Sequence, residues 1–154
     1  MTIDDLKTLM DEFEPASLLP ELDTILGKAE LITRIAVMIG PIILLILGLA
    51  YLLLSPKEAN YYFGYRCYFG MGSVEAWRFT QRLAGIIWTL LGLALTAVMF
   101  LVCGGFRGME MMEMMNTAVT CVLWEAGLVL VSWLAINTIV ALRFNAKGNL
   151  RKSK

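Results

Sequence analysis

Between Asn60 and Gly85 the chain reads NYYFGYRCYFGMGSVEAWRFTQRLAG, the one long stretch that mixes aromatics, arginines and glycines. The groups able to do chemistry in it are few and closely spaced. Arg66 offers five donors in a planar fork suited to a phosphate or carboxylate. Tyr65 beside it has an apolar ring and a polar tip, which suits a membrane headgroup zone. Gly64, just before, permits a tight or positive-φ backbone. Ser73 can cap a following helix with Glu75 in its first turn, and Trp77, Arg78 and Arg82 then anchor that helix at a lipid–water boundary. This set binds; it names no reaction. The chain has no histidine, which removes imidazole proton transfer and His-ligated zinc. It also lacks a paired nucleophile and base and a phosphate-cradling glycine loop. We therefore expect a binding protein without a cofactor, and not an enzyme. The plainer alternative, an aromatic belt with snorkelling arginines, does not require the ordered glycines or Glu75.

Three other features could carry chemistry. Glu125 stands inside an otherwise apolar run, sharing a helical side with Cys121 and Ser132. An acid within a membrane is by default a functional candidate, and the structural alternative is a protonated Glu hydrogen-bonded between helices. The run Met109-Glu-Met-Met-Glu-Met-Met115 suits an interfacial helix with pliable contacts, Glu110 and Glu113 facing water. Soft thioethers also suit Cu(I), so Met111, Met112 and Met115 are metal candidates, though without Cys or His beside them. Cys67, Cys103 and Cys121 show no CxxC spacing; Cys103 and Cys121 flank one short loop and could pair there, but small apolar cysteines more often just pack.

The elements that must position these groups are membrane helices. Of the 154 residues 58% are hydrophobic and 17% charged, outside the balance of a soluble domain. No basic face or module signature supports nucleic-acid binding. Residues 35–54, 83–103 and 117–142 form three apolar spans, each long enough at about 1.5 Å per residue to cross about 30 Å of hydrocarbon. Glu125 costs the third span about 3 kcal/mol, which its dozen Leu, Ile and Val residues offset at about −0.3 to −0.6 each. Gly40-Pro41 predicts a local kink in the first span. Gly85, Thr89, Gly92 and Thr96 form a small-residue stripe in the second, an intramolecular or oligomeric packing face and not a pore lining. The helix entering the second span is expected to start at Val74, its first turns standing outside the hydrocarbon.

Ahead of the spans, residues 1–33 read as two short amphipathic acidic helices. One is capped by Thr2 and stopped by Pro15; the other starts near Ser17 and Pro20 and repeats Leu22, Ile25, Leu26 and Ala29. This front lacks the basic residues and apolar core of a secretion signal and is expected to stay on the mature protein. Its acidic polar sides suit docking on a protein, a partner's or this chain's own loops, better than on anionic lipid. Residues 34–143 are then the membrane domain and 144–154 a basic tail. With three spans, four basic residues share the side of the acidic front and nine share the side of the loop and tail. The positive-inside rule puts the loop and tail in the cytoplasm and the N-terminus outside.

Gly64-Tyr65-Arg66, then Met71, Ser73, Glu75 and Trp77, then Gln81 and Ala84-Gly85 together resemble the signature segment of the SdpI family of bacterial membrane proteins. That loop reads approximately as Asn, three residues, Gly-Tyr-Arg-Thr, a Ser/Met-containing bend, Glu-x-Trp and an Asn before the next span. Asn60, Gly64, Tyr65, Arg66, Glu75 and Trp77 keep identity and spacing; Cys67 replaces Thr, Phe69 stands where a basic residue is common, and Gln81 replaces Asn. The likeness covers about the middle third of the chain and leaves the acidic front, the Met-rich loop and the third span unexplained. It implies a protein of the bacterial cytoplasmic membrane that gives immunity to a secreted antimicrobial peptide, or signals, by binding a peptide or lipid-associated ligand. The implied ligand residues are Asn60, Gly64, Tyr65, Arg66, Glu75 and Trp77 in the loop; Glu125, a candidate on its own chemistry, is expected to join them from an intramembrane groove. Besides the lipid bilayer, the partners considered are the peptide toxin, a larger membrane transporter or enzyme to which this chain is an accessory subunit, and a second copy of the chain. A small metal or ion carrier using the Met cluster and Glu125 is a third reading.

Overall fold

The computed structural model describes residues 15–59 and 62–151, residues 15–23 as backbone alone. Three helices carry the chain up and down: α1 Pro15–Leu53, α2 Val74–Gly104 and α3 Met111–Arg143. Each contains a segment long and apolar enough to cross a membrane. α2 begins where the sequence expects it, because Ser73 is extended and its hydroxyl accepts the Ala76 N–H at 3.1 Å, with Glu75 in the first turn. It ends at Gly104, and a short turn whose Gly108 has φ +86° leads to α3.

The front of the chain departs from expectation. Residues 1–14, where the first acidic helix was expected, lie outside the described residues. The second is not a separate element: from Pro15 the backbone is one helix of 39 residues that carries straight into the first span. Nothing between Leu22 and Ile35 breaks a helix, and the junction is tied by the Arg34–Glu30 ion pair and by Thr33 Oγ1 donating to the Ala29 carbonyl at 2.8 Å. A change from polar to apolar faces does not interrupt the backbone ladder. The same holds for the Met-rich run, whose residues from Met111 form the first turns of α3 and no independent helix. The helix also continues through Gly40-Pro41, with Pro41 fully buried. Cys103 and Cys121 are both free thiols, as is Cys67.

α1 and α2 pack antiparallel and make the largest contact. A β-carbon at Gly92 would lie 2.5 Å from the Leu45 nitrogen, and one at Gly48 2.4 Å from the Thr89 nitrogen. The small-residue stripe is thus an intramolecular seam where two backbones touch. Two buried clusters fill the bundle. Val37, Leu44, Leu95, Met99, Phe106 and Met114 form one toward the Gly105–Glu110 turn; Tyr65, Ala76, Ala84, Ile136, Val140 and Phe144 form the other beneath the loop. Outside them the spans present exposed Ile, Leu, Val and Phe, an apolar surface compatible with hydrocarbon.

Candidate functional site

The loop between α1 and α2 is held by side chains from all three helices. Its first fastening is Trp77, fully buried in the second turn after Ser73, whose indole N–H donates to the Pro56 carbonyl at 2.9 Å. Gly64 passes over that ring with φ +124°, and a β-carbon there would lie 2.7 Å from two indole carbons. The glycine is needed twice over, for the left-handed backbone and for the close approach. Gln81, one turn beyond Trp77 and itself buried, accepts the Tyr65 N–H at 2.7 Å and donates to the Tyr65 carbonyl at 2.6 Å. A single amide therefore satisfies both backbone groups of a buried residue, as a strand neighbour would.

The Tyr65 side chain carries the connection to α3. Its hydroxyl accepts from Asn137 Nδ2 at 3.2 Å and donates to the Trp133 carbonyl at 3.4 Å. Its ring meets Trp88 edge-on at 5.3 Å and Tyr51 at 6.3 Å. Trp88 in turn donates to Ser132 Oγ at 3.2 Å. Burial, before any neighbouring charge, holds the Tyr65 phenol well above its ordinary value of 10.0, so it stays a neutral donor. Residues 144–151 fold back as well. Phe144 bridges Leu150, and Ser73 Oγ donates to the Gly148 carbonyl at 2.7 Å, clasping this segment to the start of α2.

Residues 56–142, more than half of the chain, match the family model described as the SdpI/YfhL protein family. The chain belongs to that family. No curated protein and no solved structure gives a significant match. The SdpI match is wider than the middle third that carries the motif. It begins at Pro56, the acceptor for Trp77, and includes Gln81, Glu125 and Asn137.

Within this SdpI loop the expected ligand residues divide by exposure. Tyr65 and Trp77 are buried and Gly64 is half-buried, whereas Arg66 and Glu75 are exposed; Asn60 lies outside the described residues. Glu125 does not join them. It is buried in α3, about 12 Å along the helix from Trp133, and its Oε2 faces Gly40 of α1, where a β-carbon would lie 2.9 Å away. Its Oε1 is buried with no partner among the described residues. Gly40-Pro41 and Glu125 thus form one feature, a glycine notch in α1 that receives a carboxylate from α3. Of the metal candidates, Met111, Met112 and Met115 are exposed, and Met114 between them packs into the core.

No motif in the sequence marks Asn137 or Trp88 as a partner of the loop, and Gln81 stands out there only as a departure from the family pattern. Asn137 is the only amide in the apolar α3 beyond its first two turns, and that isolation was the available signal. Cys67, beside Arg66, is half-buried. Burial pushes its thiol above the ordinary 9.0, an effect partly offset by hydrogen bonds from the Gly70 backbone, the Thr80 hydroxyl and the Phe69 backbone.

Proposed function

We propose that this SdpI-family chain is a multi-pass protein of the bacterial cytoplasmic membrane that binds a secreted antimicrobial peptide or lipid-associated ligand, giving immunity or passing a signal. It acts by binding and not by catalysis. The observation that supports this reading is the division of roles in the loop: buried Tyr65, Trp77 and Gln81 hold a frame on which Arg66 and Glu75 stand exposed. A held frame loses little entropy when a ligand docks, so a guanidinium and a carboxylate on it suit recognition. Glu125 is assigned as a second contact within the membrane, on the strength of its unpartnered oxygen. The count of nine basic residues at the loop end against four at the other favours a cytoplasmic loop and an exported front.

The test is survival of a sensitive bacterium that expresses the full chain and is challenged with a panel of membrane-active peptides. The wild-type chain should raise survival against at least one of them. Arg66→Ala should abolish that protection and Glu125→Gln should weaken it, with both variants at normal levels in the membrane fraction. If both variants protect as the wild type does, the site assignment is wrong.

A second reading, an accessory subunit of a larger membrane complex, is favoured by how little of each span the chain covers itself. Only 22%, 22% and 17% of the three apolar windows are buried. A stoichiometric partner retained in mild detergent would support it, and a lone chain would count against it.

A further inference from the structure

A cleft of about 480 Å³ opens where α1 ends, α2 begins and α3 ends, apart from Arg66 and Glu125. Lys57, Arg78, Arg82 and Arg143 line it with one carboxylate, Glu75, a surplus of three positive charges. Glu75 neutralises none of them directly, because among the described residues the one ion pair is Arg34–Glu30 at the opposite end. Two of the cations are already oriented. Arg143 lies over the Phe79 ring at 4.3 Å, and Arg78 Nε donates to the Lys57 carbonyl at 3.3 Å. Ser55, in the same wall, has a buried hydroxyl with no partner. An unpaired buried hydroxyl beside four cations is the lining that an oxyanion with several acceptor oxygens satisfies.

We infer that this cleft binds the phosphate of an anionic membrane lipid. The position of the cleft and the surface beside it select a lipid over a free ion or a peptide carboxylate. It opens at the ends of the spans, where headgroups lie. On α2, Arg78 and Arg82 are followed at helical spacing by exposed Ile86, Leu90 and Leu93. That face turns from cationic to aliphatic and runs about 16 Å past Arg82, roughly half of a bilayer core and the reach of one acyl chain. Basic pockets between membrane helices hold anionic headgroups for the same reason. The site rests on residues other than those assigned to the peptide or lipid-associated ligand, apart from Glu75, so it stands whether or not that function does.

The full chain, purified in a non-ionic detergent, is exposed to mixed micelles holding equal phosphatidylglycerol and phosphatidylcholine, and bound lipid is read by native mass spectrometry. Phosphatidylglycerol should be retained in preference. Arg82→Gln, which removes a cation with no bond to the rest of the protein among the described residues, should reduce that preference about fivefold. Arg107→Gln, at the far end, should leave it intact. Equal retention of the two lipids, or an unchanged preference in Arg82→Gln, overturns the inference. Displacement of phosphatidylglycerol by an equal concentration of inorganic phosphate overturns the lipid assignment, making the free anion the occupant.

Discussion

Gln81 grips Tyr65 on both sides of its backbone, accepting the N–H at 2.7 Å and donating to the carbonyl at 2.6 Å across 16 positions of sequence. Both partners are buried, so removing the amide leaves two backbone groups without water or protein. Gln81→Leu is expected to lower stability in detergent by about 2 to 5 kcal/mol. Gln81→Glu keeps the acceptor and loses the donor, and should fall between. Thermal unfolding of the purified chain checks the order. Equal midpoints for wild type and Gln81→Leu would show that the grip does not hold the loop.

Gly64 and Gly108 both adopt positive φ, but their surroundings differ. A β-carbon at Gly64 meets the Trp77 ring at 2.7 Å, whereas at Gly108 it meets nothing within 4 Å. Gly108→Ala therefore carries only the backbone penalty, about 1 to 2 kcal/mol. Gly64→Ala adds displacement of a buried indole and is expected to cost about 3 kcal/mol or more. The indole should report it directly, through a red shift of tryptophan emission in Gly64→Ala that Gly108→Ala lacks.

Cys67 and Tyr65 give the loop an alkaline limit. Burial raises both groups above their ordinary 9.0 and 10.0, so the folded chain keeps protons that the unfolded chain releases. Their contribution is complete below those ordinary values. It declines as pH climbs from them toward the raised folded values. Thermal midpoints should therefore fall above about pH 9, and Cys67→Ser should flatten the first part of that decline. A Cys67→Ser profile superimposable on the wild type would rule the thiol out as a cause.

Local signals were legible in the sequence. Ser73 as a cap, Gly64 as a left-handed residue, the start of α2 at Val74 and the close seam at Gly85 and Gly92 depend on neighbours a few positions away, or on spacing along one helix. The second acidic helix does not stop at the change of charge where the sequence suggests a boundary, because a helix ends only where its backbone is interrupted. The grip of Gln81, the anchoring of Tyr65 by Asn137 and the cationic cleft draw on distant parts of the chain. No periodicity encodes which turn of one helix faces which residue of another. Tyr65 and Trp77 were legible as important, but their burial was not, because an aromatic belt and a folded loop use the same residue types.

The clasp between Ser73 and Gly148 spans 75 positions, and this sets an order of assembly. While the chain is being made, α2 can insert and be capped, but the platform above it stays incomplete until α3 has entered the bilayer and residues 144–151 have emerged to close over it. A polypeptide cut after Arg143 would keep all three apolar helices and present an unfinished surface, so completion of the loop platform waits on a segment made after the third helix.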